Sequence, residues 1–289
     1  MTVLNINTIV LHSMKKRVSL SLDSKIIKEI DSSVDGIITR SRSDAVEKIL
    51  KEYITERKTA VILAGGDPEK LFIKKLNTHR PLVNVGKKKL IENIILRCRE
   101  AGFVNIVIIG FSALIAKLYE VLGSGEKYGV NITYIEESKE LGSAKTLELA
   151  KKYLKTDFLF LPCDHWFDFD LKKLHEFHLA HNGIITLGIH ARTSFDWKTS
   201  IVVLDGYKIV DYEERPKKPK THLISVFIGF MKPDVFNFIP PGEVYWSLQE
   251  HLFPKLAKEG KLIGYPVAGN WVNVHSKEDV EKVVELRKG

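Results

Sequence analysis

A glycine turn and a few charged residues are the parts of this sequence that could carry chemistry. Leu63-Ala64-Gly65-Gly66 ends a buried-strand pattern, and its glycines let backbone amides approach an anion. Asp164 follows another apolar run, where a cation-binding carboxylate is expected in an α/β sheet. These residues indicate a site for a phosphorylated ligand with Mg²⁺.

Each of these residues also has an ordinary structural explanation. Asp164 could cap the segment that follows its strand, and Lys70, Arg80 and Arg215 could be solvated surface charges. We favour the ligand role for Asp164 because a carboxylate at a strand end faces the glycine turn in a doubly wound sheet. Cys98 and Cys163 are the two cysteines and form no CxxC pair, so neither a zinc site nor a disulfide framework is indicated.

The bulk composition restricts the class of protein. A chain of 289 residues with 44% hydrophobic and 28% charged residues is typical of a soluble globular protein of two domains. The longest apolar run is too short for a bilayer span, and residues 1–14 are interpreted as an arm rather than a signal peptide, so we expect no membrane anchor and a cytoplasmic location. A net charge of +8 permits nucleic acid or phosphorylated ligands, and equally a solvated basic surface.

Alternating strands and helices would have to position the glycine turn and the carboxylate. Apolar runs predict strands at Thr59–Ala64, Asn105–Ile109, Asn131–Ile135, Phe158–Leu161 and Ile184–Ile189. Helical patterns lie between them. This alternation predicts an α/β fold with a Rossmann-like, mainly parallel, doubly wound sheet whose ligand lies beyond the carboxyl ends of the strands.

From Thr59 to the C-terminus the chain resembles the nucleotidyltransferases that couple sugar 1-phosphates to nucleoside triphosphates. The segments that carry the resemblance are the glycine turn, Arg80-Pro81-Leu82, Gly142-Ser143-Ala144, Asp164, Glu214-Arg215-Pro216, Gly229 and Trp271 to Val274. The resemblance implies a nucleotide-diphospho-sugar transferase-like domain over residues 59–289, with no organic cofactor.

The same resemblance implies roles for individual residues. Lys70 and Arg80 would be catalytic, and Asp164 and Asn273 would hold Mg²⁺. The nucleotide would bind at Leu63, Ala64, Gly65, Gly66, Glu137, Gly142 and Ser143. The sugar and its phosphate would bind at Glu214, Arg215 and Gly229. Glu137 stands where guanylyl-transferring relatives often have glutamate, so it is either a guanine ligand or an exposed charge.

Several positions depart from the family pattern. The family's GxGTR loop is replaced by Asp67-Pro68-Glu69-Lys70, in which Pro68 lacks an N–H donor and two acids add negative charge. Lysine and arginine are exchanged at positions 70, 80 and 215, and asparagine stands at position 273. These exchanges predict that the pocket is retained but that catalysis is weak or lost. Lys145 occupies a position usually held by a small residue, and it would either reach a phosphate or block part of the pocket.

The first sixty residues predict a small unit of different type. Residues 17–22 alternate polar and apolar side chains as a strand does, and Asp23 can cap a helix that Gly36 can end. Ser41, with Asp44 three positions later, can begin a second helix. One strand and two short helices cannot form a stable core, so we expect a homodimer that could assemble further.

From Lys15 to Arg57 the chain resembles the ribbon-helix-helix family of DNA-binding proteins, which implies a domain over residues 15–58. In that family a two-stranded ribbon enters the major groove of double-stranded DNA. Base contacts are then expected at Arg17, Ser19 and Ser21, and phosphate contacts at Arg40, Arg42 and Ser43. The alternative is a dimerisation clasp whose polar strand face meets only water.

The leading functional hypothesis from sequence is a DNA-binding transcriptional regulator. Its C-terminal domain would be catalytically degenerate and would sense a nucleotide or nucleotide sugar. One alternative is an active sugar-1-phosphate nucleotidyltransferase whose N-terminal unit binds DNA or only dimerises. Another is a structural dimer or antitoxin-like partner protein.

Overall fold

The computed structural model describes residues 18–56, 58–192 and 199–288, with the backbone alone for 51–56. The chain forms two compact units, Met1–Glu52 and Tyr53–Gly289. The helices are α1 (Ser24–Ser32), α2 (Arg42–Glu56), α3 (Leu90–Glu100), α4 (Ser112–Leu122), α5 (Ser143–Glu148), α6 (Leu171–Ala180), α7 (Phe253–Lys258) and α8 (Lys277–Leu286). The strands are β1 (Thr59–Ala64), β2 (Phe72–Ile73), β3 (Thr78–His79), β4 (Asn84–Val85), β5 (Lys88–Lys89), β6 (Asn105–Gly110), β7 (Asn131–Glu136), β8 (Phe158–Pro162), β9 (His165–Phe167), β10 (Ile185–Ala191), β11 (Ile201–Asp205), β12 (Lys208–Glu213), β13 (Leu223–Met231), β14 (Leu262–Pro266) and β15 (Trp271–Asn273).

The two predicted helices of the N-terminal unit are confirmed, together with the residues that cap them. The Asp23 side chain accepts a hydrogen bond from the backbone N–H of Lys25 at 2.7 Å, which fixes the start of α1. The Ser41 hydroxyl accepts from the backbone N–H of Asp44 at 3.2 Å, and the Asp44 carboxylate accepts from the Arg40 N–H at 3.0 Å. The first bond is half of the predicted capping box, but Asp44 accepts from Arg40, the residue before the cap, rather than from Ser41 itself.

The predicted N-terminal strand is not confirmed. Arg17 lies outside the described residues, and residues 18–23 form no strand in the part of the chain that the structure describes. A period-two pattern does not by itself supply the second strand that a ladder requires. Helix α1 also ends at Ser32, before Gly36. The unit leaves large apolar side chains in solvent, including Val18 at 72% and Ile37 at 81% exposure.

The second unit is built on a mixed sheet. Within the described residues nine strands join in the order β10-β14-β12-β11-β13-β8-β1-β6-β7, with an additional β10–β13 pairing. Strands β7, β6, β1 and β8 are parallel, as the alternation of strands and helices predicted. Strand β13 is antiparallel to both β8 and β10, and β11 and β12 form an antiparallel hairpin. The prediction of a mainly parallel sheet is therefore wrong for the part from β10 to β13, where only β10 and β14 are parallel neighbours.

Apolar side chains bury both faces of this sheet. In β1 alternate residues face opposite sides, with Ile62 in one core cluster and Val61 in the other. Helices α3, α4, α6 and α8 contribute to the first cluster, and α5 and α7 to the second. This packing fixes the carboxyl end of β1, from which the turn at Gly65 and Gly66 projects. No helix among the described residues is long and apolar enough to cross a membrane.

Candidate active site

A cavity of about 440 Å³ lies at the carboxyl ends of β1 and β8. It brings together most of the residues that the sequence assigned to ligand binding, which are Leu63, Gly65, Gly66, Lys70, Arg80, Gly142, Ser143, Asp164, Glu214 and Arg215. Other lining residues had no motif to reveal them, namely Glu140, Phe227, Tyr245, Ser247, Gln249 and Glu250. Buried Ala64 lies in β1, just before the turn. The cavity position agrees with the predicted ligand position beyond the strand ends.

Glu137 lies against the glycine turn. Its Oε2 accepts a hydrogen bond from the Gly66 N–H at 3.1 Å, and its Oε1 accepts one from the Thr146 hydroxyl. A Cβ at Gly65 would lie 2.2 Å from the same Oε2, so a side chain at this position would displace the Glu137 carboxylate. Glu137 is 3% exposed, which overturns the exposed-charge interpretation, and burial raises its pKa. The carboxylate therefore holds the turn in place through its hydrogen bond from the Gly66 N–H.

In the unusual loop from Asp67 to Lys70, hydrogen bonds and a nearby lysine offset part of the negative charge of Asp67. The Asp67 carboxylate accepts a hydrogen bond from the Glu69 N–H at 2.9 Å, and the Asp67 carbonyl accepts from the Lys70 N–H at 3.1 Å. The Lys70 ammonium lies 3.9 Å from Asp67 Oδ2 and 3.8 Å from Glu140 Oε1. Asp67 thus stabilises the loop, and the adjacent Lys70 opposes its charge.

An ion pair between Arg80 and Asp164 lies at the base of the cavity. Arg80 Nη1 donates to Asp164 Oδ2 at 2.9 Å, and both side chains are largely buried. Imidazoles flank the same carboxylate, with His275 Nε2 at 3.8 Å from Oδ2 and His165 Nε2 at 3.9 Å from Oδ1. Burial lowers the pKa of His165 to about 4, so this ring is neutral at physiological pH. Asp164 is therefore a buried carboxylate whose negative charge is balanced chiefly by Arg80.

Asp164 and Asn273 carry the oxygen atoms that a divalent cation prefers, but Asp164 lines the large cavity and Asn273 lines a second cavity of about 200 Å³. Asn273 Oδ1 is buried and has no hydrogen-bond partner among the described residues, which leaves an acceptor available for a ligand. The β9–β15 pairing sets Asn273 opposite His165, the residue after Asp164. No group of three or more His, Cys, Asp or Glu side chains in the described ranges is placed to hold a metal ion. A cation here would need further oxygens from phosphate or water, as Mg²⁺ commonly does.

Glu214 and Arg215 line the cavity beside two strained backbone positions. The Glu214 carboxylate accepts a hydrogen bond from the Ser200 hydroxyl and lies 3.1 Å from Arg215 Nε, and burial raises its pKa. Arg215 and Phe227 have left-handed backbone angles, with φ of 47° and 54°. Such angles are uncommon for bulky residues and concentrate at functional sites. Their location supports a binding role for this wall.

Lys145 neither reaches into the cavity nor blocks it. Its ammonium is 6% exposed and donates to Glu148 Oε2 at 2.8 Å and to the Pro240 carbonyl. Lys145 thereby ties α5 to residues 240–250, which we call the strap. The Trp246 carbonyl accepts from the Ala144 N–H at 3.0 Å, and the Ser143 hydroxyl accepts from the Leu248 N–H at 2.9 Å. These bonds hold the strap against the turn at Gly142.

Close packing of strands explains why residue 229 is a glycine. It lies in β13 between β8 and β10, and a Cβ there would meet the Thr186 carbonyl at 2.1 Å. It is not among the described residues that line the cavity. The close approach of two strand backbones therefore accounts for this glycine without a sugar contact.

The residues assigned to DNA contact belong to the separate N-terminal unit. Ser19 and Ser21 are exposed in the segment before α1, and Arg40 and Ser43 are exposed at the start of α2. The Arg42 guanidinium donates to both carboxylate oxygens of Asp31 at 2.7 Å. Arg42 therefore joins the two helices of its own unit.

Residues 59–285 match the family described as Nucleotidyl transferase, and the chain belongs to that family. Mannose-1-phosphate guanyltransferase 2 of Candida glabrata and mannose-1-phosphate guanyltransferase of Saccharomyces cerevisiae are each 30% identical over 227 residues, or 76% of this chain. The chain spans 62% of the length of these relatives. A structure assigned to a glucose-1-phosphate thymidylyltransferase of Bacillus anthracis has a TM-score of 0.71 at 21% identity, covering 79% of this chain and 94% of that one. This likeness confirms the nucleotide-diphospho-sugar transferase-like fold.

These similarities overturn the regulator hypothesis. The prediction of a DNA-binding transcriptional regulator with a degenerate catalytic domain is wrong, because the relatives are named for nucleotidyl transfer to sugar phosphates. Double-stranded DNA is not supported as a partner, and the ribbon-helix-helix assignment is not confirmed. The alternating pattern and two capped helices were common features with little specificity for one function.

Proposed function

We propose that this protein is an active sugar-1-phosphate nucleotidyltransferase. The observation that carries the proposal is one cavity holding the glycine turn, the Arg80–Asp164 pair and Glu214-Arg215. Family membership supports the same reaction class. We assign this activity to residues 59–289, with residues 15–58 as a separate domain and residues 1–14 as an arm.

In the proposed reaction a phosphate oxygen of the sugar 1-phosphate attacks the α-phosphorus of a nucleoside triphosphate. A new phosphorus–oxygen bond forms, the bond to the β-phosphate breaks, and pyrophosphate leaves with that electron pair. Backbone amides of Gly65 and Gly66 would bind phosphate oxygens, and Lys70 would hold the leaving pyrophosphate. Arg80 and Arg215 would orient the attacking sugar phosphate. Glu214 would accept hydrogen bonds from sugar hydroxyls.

Asp164 and Asn273 would hold Mg²⁺ at this site. The bound ion would reduce the negative charge on the phosphates during transfer. Arg80 would have a second role. When substrates are absent, its ion pair balances the negative charge of the buried Asp164 carboxylate. On substrate binding the same guanidinium would turn towards a phosphate.

The names of the relatives suggest GTP and mannose 1-phosphate as the first substrate pair to test. Glu137 remains a predicted guanine ligand, since a carboxylate can accept the paired donors of guanine. Its hydrogen bonds to Gly66 and Thr146 favour instead a role in holding the turn. Base preference of a Glu137→Gln variant would separate these roles, since loss of a guanine ligand changes the GTP-to-ATP ratio.

Pyrophosphate release tests the proposed activity. Purified full-length protein would be assayed with Mg²⁺, each nucleoside triphosphate and a panel of sugar 1-phosphates. We expect turnover with at least one pair, and a loss of about a thousandfold or more in Asp164→Asn. Asp211→Asn is the matched control, because Asp211 pairs with Lys220 outside the lining of the cavity. Folded enzyme that releases no pyrophosphate from any pair would refute the proposal.

A further inference from the structure

Glu250 differs from the other carboxylates that line the candidate active site. The other three each pair with a lining cation, namely Asp164 with Arg80 at 2.9 Å, Glu214 with Arg215 at 3.1 Å and Glu140 with Lys70 at 3.8 Å. Glu250 makes no ion pair with any residue that the structure describes, and its Oε2 accepts a hydrogen bond from the Tyr245 hydroxyl at 3.1 Å. The cavity therefore contains one exposed carboxylate that can accept hydrogen bonds from a ligand.

Glu250 lies in a single π-helical turn, Leu248–Leu252, that begins within the strap. The Leu252 N–H donates to the Ser247 carbonyl five residues earlier at 3.2 Å, and the Ser247 hydroxyl accepts from the Glu250 N–H at 3.3 Å. Turns of this kind are rare in proteins and are frequent at functional sites. The carboxylate of Glu250 is therefore presented to the cavity by an ordered backbone.

Tyr245 is positioned by the backbone of the residue that follows it. The Trp246 N–H donates to the Leu141 carbonyl at 2.7 Å, and the Trp246 carbonyl accepts from the Ala144 N–H at 3.0 Å. Tyr245 and Glu250 thus form a pair within the cavity lining. Such a pair suits a sugar, because the phenol ring can pack on its apolar C–H groups while the carboxylate accepts from its hydroxyl groups.

The pair lies on the side of the cavity that we assign to the sugar. Burial raises the pKa of Glu214, and the negative charge of Glu250 adds to that effect, so the two carboxyl groups lie close together. The pKa of Tyr245 is raised chiefly by burial, and its hydrogen bond to Glu250 and the charge of Glu140 add to the effect. Negative charge is therefore concentrated around this part of the cavity. A sugar ring that carried a carboxylate would be repelled here, whereas an uncharged ring would not.

We propose that Glu250, supported by Tyr245, determines which sugar 1-phosphates the enzyme accepts. The pair selects rings that bear only hydroxyl groups against uronic acid rings, which bear a carboxylate. The inference rests on the proposed function, which supplies the sugar 1-phosphate and its place beside Glu214. Glu250 acts in substrate selection, and the phosphate-binding residues are the same for both kinds of sugar.

Steady-state kinetics with matched substrates test this selection. Each hexose 1-phosphate would be compared with the uronic acid 1-phosphate of the same configuration, using the mannose and mannuronic acid pair and the glucose and glucuronic acid pair. We expect the full-length enzyme to prefer the hexose by about tenfold or more in kcat/KM, and Glu250→Gln to reduce that preference about fivefold. Glu250→Ala should raise KM for the hexose 1-phosphate about tenfold, with KM for the nucleotide changed by less than about twofold.

Two further variants separate the charge of Glu250 from other effects. Tyr245→Phe keeps the ring but loses the hydroxyl that donates to Glu250, and it should raise KM for the hexose 1-phosphate about threefold. Glu120→Gln makes the same charge change at an exposed position on α4, outside the lining of the cavity. It should match the wild type in both KM values and in the preference for hexose.

The possible results distinguish this inference from the proposed function. An enzyme that releases pyrophosphate but treats the hexose and its uronic acid alike would overturn the inference and leave the function standing. An unchanged preference in Glu250→Gln would also overturn it. If no pair is turned over, the proposed function fails, and calorimetric titration of the same sugar 1-phosphates into the same proteins measures the preference as a ratio of Kd values. Equal Kd values for the two kinds of sugar would then overturn the inference as well.

Discussion

At the scale of single residues, buried carboxyl groups next to the cavity make the stability of the fold depend on pH. Burial raises the pKa of Glu137 above its ordinary value of 4.5, although hydrogen bonds from Thr146 and Gly66 partly offset that effect. A carboxyl with a higher pKa in the folded state binds more protons folded than unfolded. Its contribution to stability is therefore greatest at low pH and is lost as the pH rises through the folded pKa.

Glu137→Gln should remove this pH dependence. The amide oxygen can still accept a hydrogen bond from the Gly66 N–H, and the amide has no charge to desolvate. The difference in unfolding free energy, Gln variant minus wild type, should rise by on the order of 1 kcal/mol from about pH 4 to pH 7. Urea titrations at several pH values would measure it. Glu136→Gln, at the exposed neighbouring position, should show no such trend, and a flat difference for Glu137→Gln would contradict the account.

Lys145 offers a second residue-scale prediction, because its buried ammonium joins α5 to the strap. Lys145→Met leaves the Pro240 carbonyl and Glu148 without their donor. We expect a loss of about 1–3 kcal/mol in unfolding free energy and a raised KM for the nucleotide, with kcat less affected. Chemical denaturation and steady-state kinetics would check both. Lys173→Met, exposed on α6, should leave both unchanged, and an unaltered KM in Lys145→Met would exclude a positioning role for the strap.

At the scale of elements, the close approach of β13 to β10 explains the glycine at position 229 better than a contact with the sugar does. Gly229→Ala would place a methyl group 2.1 Å from the Thr186 carbonyl, so the strands must separate. We expect a cost of about 3 kcal/mol, which lowers Tm by several degrees. Calorimetry would measure the shift, and kinetics would show whether KM for the sugar phosphate changes. A normal Tm with a raised KM would instead favour the sugar-binding interpretation.

The elements that sequence reasoning placed correctly were those with a strong local signal. Strand β1 was predicted at its observed bounds because six consecutive apolar or small residues are buried on both faces. Strands β11, β12, β13 and β14 were given no bounds, although the residues of β11 and β13 are largely apolar and buried. The predicted N-terminal strand is not confirmed, since residues 18–23 form no strand in the described part of the chain, and the strand was predicted to pair with that of a second chain.

Parts of the site depend on contacts between distant segments, which a single sequence does not display. The glycine turn and Asp164 were found because each follows a buried strand. The strap was missed, since its hydrogen bonds to residues 141–144 span about a hundred positions and have no motif. His275 was not singled out, because its position 3.8 Å from Asp164 also depends on a contact between distant segments.

At the scale of the whole molecule, both core clusters draw their buried residues from position 60 onwards. The segment 59–285 that matches the family therefore contains its own core and the complete lining of the candidate active site. The N-terminal unit contributes no described residue to either cluster. A transferase that depends on residues 59–289 alone should keep its fold and activity without the first unit.

Removal of residues 1–57 tests this independence. Lys58 should be retained, because its carbonyl accepts a hydrogen bond from the Asn105 N–H at 3.3 Å and its ammonium lies 5.8 Å from the centre of the Phe103 ring. We expect the 58–289 protein to release pyrophosphate with kcat/KM within about twofold of the full chain, a difference of less than 0.5 kcal/mol. A 61–289 protein, which lacks the first two residues of β1, should melt several degrees lower. If the 58–289 protein is folded by circular dichroism but inactive, the first unit must contribute to catalysis, and the assignment of activity to residues 59–289 fails.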